Sequence, residues 1–172
     1  MLFRSGEKFI DEKLGTPGLI ALSLVVFGVL LLWADRRQGS RTLADYTAAD
    51  AVKVGLAQVI ALNPGTSRSG ITMTAARLLG FSRDAAARAS FLMAIPVTAG
   101  AVAFKLLKLA KDGMPDGLGS AMVVGVITSA ISGWLAVWGL LRLVRSRTFS
   151  PFVAYRFALA AVVWLLMITG VR

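Results

Sequence analysis

The chemistry in this chain gathers around Asn63-Pro64-Gly65-Thr66-Ser67-Arg68-Ser69-Gly70. Arg68 is the only formal charge between Lys53 and Arg77, and apolar runs flank it on both sides. A central arginine in a membrane costs about 2.5–3.5 kcal/mol on insertion scales, so it is expected to have a partner. All nine acids lie outside the apolar runs, and none obviously pairs with it. A bound anion, or a carboxylate from another chain, would do so. The neighbours suit an anion. Gly65 and Gly70 allow close backbone approach. Thr66, Ser67, Ser69 and Thr72 offer hydroxyl donors, and guanidinium presents a planar fork matched to phosphate oxygens. A helix starting near Ile71 would aim free N–H groups at the same point. Gln58 is either a helix-packing amide or a ligand contact. The bland alternative is a surface loop on lipid head groups, which would not need flanks this apolar.

Two absences narrow the chemistry. With no Cys there is no disulfide, thiolate nucleophile or Cys-based metal site. With no His there is no imidazole base, phosphohistidine or imidazole-ligated metal.

The elements that must position this loop follow from hydropathy. The chain has 172 residues, of which 56% are hydrophobic and 16% charged, and its mean hydropathy is +0.72. A soluble domain would be about a quarter charged. The reading is therefore an all-α polytopic membrane protein, forming a single integral membrane domain. Spans are expected over residues 14–34, 86–105, 117–141 and 151–171, because a core of about 30 Å needs about 20 apolar residues. Pro96 is expected to kink the second span, and Pro151 to open the last one. Arg156, early in that span, is expected near an interface. Arg77, Arg83 and Arg88 read as interfacial anchors. Residues 50–80 hold two apolar halves, each too short to span, broken by Pro and Gly. They read as a re-entrant helix–loop–helix, whose irregular backbone must be surrounded by protein or a watery cavity. The opening segment Met1–Lys13 reads as a loop within a longer protein rather than as a signal peptide.

The net charge of +10 sits in short loops between apolar runs. That argues against nucleic acid and for anionic lipid head groups or a phosphorylated lipid. Eleven of the Lys and Arg residues fall on the side holding loops 35–49 and 142–150, against seven on the other. This favours the first side as cytoplasmic.

The run from Gln58 through PGTSRSG to Thr72 closely resembles a signature of the undecaprenyl-diphosphate phosphatases. These form the bacitracin-resistance family of bacterial inner-membrane enzymes. Arg88-Ala89-Ser90-Phe91-Leu92-Met93-Ala94-Ile95-Pro96 and Arg36-Arg37 are similar to further stretches of that family. The resemblance covers essentially the whole chain but only the C-terminal part of the family's longer one. It implies the second half of an inverted-repeat fold. It also implies hydrolysis of undecaprenyl diphosphate to undecaprenyl phosphate and phosphate, recycling the lipid carrier of peptidoglycan synthesis. Arg68 and Ser67 are then the catalytic residues. Gly65, Thr66, Ser69, Gly70, Thr72 and Gln58 bind substrate. A divalent cation, Mg or Ca, would assist, with ligands outside this chain. Laid over the first repeat's pattern, the acidic and histidine positions fall on Gln58, Leu62 and Ile71. The nucleophile and acid–base groups are therefore expected from an N-terminal half, or from a second copy in a homodimer.

Other readings stay open. The loop could bind or flip a prenyl phosphate without hydrolysis, or the chain could complete another half-sized chain. The acid-phosphatase type of lipid phosphatase needs a catalytic His and is excluded.

Overall fold

The computed structural model describes residues 15–113, 118–146 and 148–170. The reading of Met1–Lys13, the expected limits at Leu14, Gly117 and Val171, and the charges Asp116, Arg147 and Arg172 lie outside the described residues.

Six α-helices account for most of the described chain: α1 Pro17–Asp35, α2 Ala48–Val59, α3 Arg68–Leu78, α4 Arg83–Asp112, α5 Leu118–Ser146 and α6 Ser150–Thr169. Four of them, α1, α4, α5 and α6, are long and apolar enough to cross a membrane. The chain is a multi-pass membrane protein. The second span is longer than its apolar run. Arg83, Arg88, Lys105 and Lys108 remain in one continuous helix, because long basic stems can leave the hydrocarbon without breaking the backbone. Pro96 sits inside α4, which is helical on both sides of it. Pro151 lies in the first turn of α6.

α1 and α6 run antiparallel. Phe149 N–H donates to the Asp35 carboxylate at one end, and Gly18 approaches Met167 at the other. Between these, Gly28 meets the Phe157 ring so closely that a Cβ would lie 2.9 Å from it. Small residues of this kind let membrane helices pack backbone to backbone.

α3 is the middle of the bundle. One side packs into a core of Leu31, Met73, Ala87, Val144, Phe149 and Val153. The other packs with Val54, Ala76, Phe81, Ala85 and Ala86. At 12 and 11 residues, α2 and α3 reach about 18 and about 16 Å. Neither would cross a hydrocarbon core of about 30 Å.

The base of this helix pair is tied at the C-terminal end of α1. Arg41 pairs with Asp50 of α2 at 2.6 Å and donates to the carbonyl of Leu79 just after α3. The backbones of Arg41 and Phe81 form a parallel bridge. The tip is tied elsewhere: Asn63 Nδ2 donates to Ser23 Oγ at 2.9 Å. Ser23 lies 12 residues before Asp35 on α1, or about 18 Å at 1.5 Å per residue.

One expectation about arginines is corrected here. Arg77 is not a snorkelling anchor. It is 3% exposed and donates to the carbonyls of Phe81, Asp35 and Arg37. The C-terminal end of α3 turns inward, onto the free carbonyls that close α1. Arg83 and Arg88 are partly exposed and paired with Asp35 and Asp84 at 2.5 and 2.8 Å. Arg156 is buried too, 8% exposed, on the same side of α6 as Val153 and Ala160.

Candidate functional site

The loop 60–67 reaches its shape through its own polar groups. Asn63 N–H closes a turn on Ile60 O, and Thr66 N–H one on Asn63 O. Asn63 Nδ2 also donates to Thr66 Oγ1. Gly65 has φ +85°, and a Cβ there would lie 2.6 Å from the Ile20 carbonyl oxygen. Only glycine fits both the left-handed backbone and the contact with α1. Ser67 follows at φ 57° and ψ 110°, a conformation that costs a non-glycine residue about 1–3 kcal/mol.

Ser67 is the N-cap of α3, its Oγ accepting from Gly70 N–H at 3.3 Å. The helix begins at Arg68, three residues before the expected start near Ile71, because the serine cap ends the turn sooner than the glycines suggested. The amides of Arg68 and Ser69 are left without intrahelical acceptors. They sit at the positive end of the helix dipole.

Two cavities flank this first turn of α3, each of about 260 Å³. The more polar one is lined by Gln58, Arg68, Ser69, Thr72, Ser90, Phe91 and Ala94. Among the described residues, the Arg68 guanidinium has no ion-pair partner. Thr72 is buried; its Oγ1 lies 2.7 Å from Ser90 Oγ and donates to the carbonyls of Arg68 and Ser69.

The other cavity has mostly apolar walls, with Ser67, Ser69, Gly70, Tyr155 and Arg156 as its polar lining. Ser69 borders both. Arg156 Nη2 donates to Gly65 O at 2.8 Å, and its Nε to Leu24 O at 3.2 Å. No carboxylate pairs with Arg156 among the described residues.

The structure thus gathers Gln58, Arg68, Ser69 and Thr72 around one cavity, and Ser67, Ser69 and Gly70 around the other. Gly65 and Thr66 shape the loop and line neither. Ser90 and Arg156 were not singled out as site residues from sequence. Arg156 carried a signal: a charge within a run whose residues before and after it are apolar.

The donor set suits anions. Among the described residues, no group of three or more acidic, His or Cys side chains could hold a metal ion. Both cavities are lined by guanidinium, amide and hydroxyl groups without a carboxylate. These residues do not fit a divalent cation.

Four membrane-length helices packed with a short helix pair, with a cationic, hydroxyl-rich turn at its tip, define a polytopic helical membrane protein with an anion-suited site. Residues 1–162 match the family described as bacitracin resistance protein BacA, and the chain belongs to that family. It is 46% identical to the undecaprenyl-diphosphatase of Pelobacter propionicus over 156 residues, covering 90% of this chain and 57% of that protein. It is 49% identical to that of Geobacter sulfurreducens over 152 residues, covering 87% and 56% respectively. The chain spans a little over half the length of these curated relatives.

Proposed function

We propose that this chain supplies the diphosphate-holding part of an undecaprenyl-diphosphate phosphatase of the bacterial inner membrane. The reaction adds water across the P–O–P bridge and yields undecaprenyl phosphate and inorganic phosphate, returning the carrier lipid to peptidoglycan synthesis. The observation that carries this reading is Arg68. Its guanidinium lines a polar cavity at the start of α3 with no anionic side chain paired to it among the described residues. The names of the relatives agree with it.

Arg68 would hold the phosphoryl oxygens in a fork and neutralise charge that builds on them. Electrostatic stabilisation of this kind does most of the work in phosphoryl transfer. Ser69 would complete the oxygen contacts, with the free amides at the α3 N-terminus behind it and Thr72 bracing the turn through the Arg68 and Ser69 carbonyls. Ser67 would hold the turn, and Gln58 would donate from the facing helix α2. The divalent cation that the family resemblance implies would take its ligands from outside these cavities, as would the groups that activate water. An N-terminal half or a second copy would provide them.

Residues 50–80 would form a re-entrant hairpin. Both ends of the helix pair are tied by Arg41, and the tip meets α1 about 18 Å away. That distance would bring Arg68 near mid-membrane.

The test is phosphate release from undecaprenyl diphosphate by the purified chain in detergent with Mg²⁺ or Ca²⁺, beside Arg68→Ala. Arg68-dependent release supports the whole reading. Release that persists in Arg68→Ala overturns the role of the loop. Arg68-dependent binding without release would make the chain a prenyl-diphosphate binder awaiting its other half.

A further inference from the structure

Arg156 is a buried cation within a membrane-length helix, and its acceptors are two backbone carbonyls. Those carbonyls engage Nε and one proton of Nη2. Nη1 has no acceptor among the described residues and lies beside Gly70, where a Cβ would sit 3.5 Å from it. The cavity that Arg156 borders takes its other polar lining from Ser67, Ser69, Gly70 and the Tyr155 phenol. The remaining walls are aliphatic or Phe side chains, among them Leu24, Leu140 and Phe152. A charge desolvated without a counter-ion is costly, and this cavity offers room for one. The occupant that suits both kinds of lining is an anionic head on an apolar chain.

Resting on the function proposed above, we infer that Arg156 is a second phosphate-binding residue, taking the lipid-proximal phosphoryl of the diphosphate while Arg68 takes the terminal one. Ser69 borders both cavities, so the bridging oxygen falls at Ser69. The first part of the prenyl chain lies in the apolar cavity. After hydrolysis the terminal phosphate is the ion held by Arg68, and the prenyl monophosphate is the product held by Arg156. Each product then has its own cation, and a substitution at one should weaken one product far more than the other.

The experiment measures binding of two probes to the full chain in detergent: farnesyl phosphate and inorganic phosphate. Arg156→Lys is expected to weaken farnesyl phosphate at least tenfold and inorganic phosphate by a clearly smaller factor, the latter only through the lost bond to Gly65 O. Lysine keeps the charge but loses the fork. Arg68→Lys is expected to show the opposite pattern. Leu140→Phe narrows the apolar cavity from α5 without touching the loop, and should weaken farnesyl phosphate alone. It carries the test if Arg156→Lys fails to fold. Farnesyl phosphate affinity unchanged in Arg156→Lys, or both probes lowered equally in Arg156→Lys and Leu140→Phe, overturns the inference and leaves the proposed function standing. A wild-type chain that binds neither probe overturns both.

Discussion

Arg156 Nη2 donates to the carbonyl oxygen of Gly65 at 2.8 Å, joining α6 to the tip of the helix pair across 91 positions of sequence. The same guanidinium reaches Leu24 on α1. One side chain therefore fixes the loop against both members of the antiparallel α1–α6 pair, and the turn ahead of Arg68 inherits its position from them.

The first prediction concerns Gly65→Ala. The new Cβ would sit 2.6 Å from the Ile20 carbonyl, at a residue held at φ +85°. The left-handed backbone alone costs about 1–2 kcal/mol for a non-glycine residue, and the contact adds to it. The loop should be displaced from α1 and the Arg156 bond lost. We expect thermal stability in detergent to fall by at least about 2 kcal/mol, with phosphate affinity falling alongside. Wild-type stability and affinity in this variant would show that the loop does not depend on the glycine.

The spans were legible in the sequence because a membrane demands long uncharged runs, and 14–34 and 117–141 are such runs. The helix pair was legible for the opposite reason: its apolar halves are too short and Pro64 and Gly65 part them. The ends of elements were less so. α4 extends to Arg83 and Asp112 because charges end an apolar run without ending a helix. Arg77 was misread, and the partners of Arg156 went unseen, for one shared cause. Their acceptors are backbone carbonyls on distant segments, at Asp35 and Arg37 for one and at Leu24 and Gly65 for the other. A carbonyl leaves no trace in residue type, whereas a carboxylate partner would have shown in the composition.

The second prediction is a pH dependence at the base of the helix pair. The Arg41 guanidinium first, and then the Thr47 side chain and amide, hold the Asp50 carboxyl well below the usual carboxylate range. A group with a depressed folded pKa contributes stability that is full above its unfolded value. That contribution is lost as pH falls toward the folded one. The unfolded value is about 3.9, so the loss should begin near pH 5 and grow below it. The thermal midpoint of the wild type should drop between pH 6 and pH 3, and Asp50→Asn should start lower and fall less. Parallel curves for the two proteins would exclude Asp50 as a contributor.

Asp35 carries the third. It is 3% exposed, pairs with Arg83 at 2.5 Å, lies 3.9 Å from Arg77 Nε and accepts from Phe149 N–H at 3.1 Å. Arg77 Nε has no hydrogen-bond partner of its own, so the carboxylate is its nearest compensation. Removing one side of a buried charge pair typically costs about 3–5 kcal/mol. Asp35→Ala should lose that much, and it also strips the acceptor at the start of α6. Asp35→Asn keeps an oxygen for Phe149 and should recover only part. Equal stability of Asn and Asp at this position would mean that the charge contributes nothing and hydrogen bonding carries the junction.

The last prediction separates support from binding within the polar cavity. Thr72 Oγ1 and Ser90 Oγ lie 2.7 Å apart and link α3 to α4 behind Arg68. Thr72 keeps the Arg68 and Ser69 carbonyls as acceptors if its partner is removed. Ser90→Ala should therefore cost about 1 kcal/mol, the ordinary net value of one hydrogen bond. Thr72→Val removes the same bond from the other side, so the double variant should cost less than the sum, by a coupling of about 0.5–1 kcal/mol. Inorganic phosphate affinity should fall less than threefold in Ser90→Ala, because a hydroxyl already engaged with Thr72 has less to offer a ligand. Arg68→Ala should lose affinity far more steeply while unfolding at the wild-type temperature, since its guanidinium pairs with no acidic side chain among the described residues. If Ser90→Ala lost as much affinity as Arg68→Ala at unchanged stability, Ser90 would be a phosphate ligand in its own right. The hydroxyl pair would then belong to the binding surface rather than to its support.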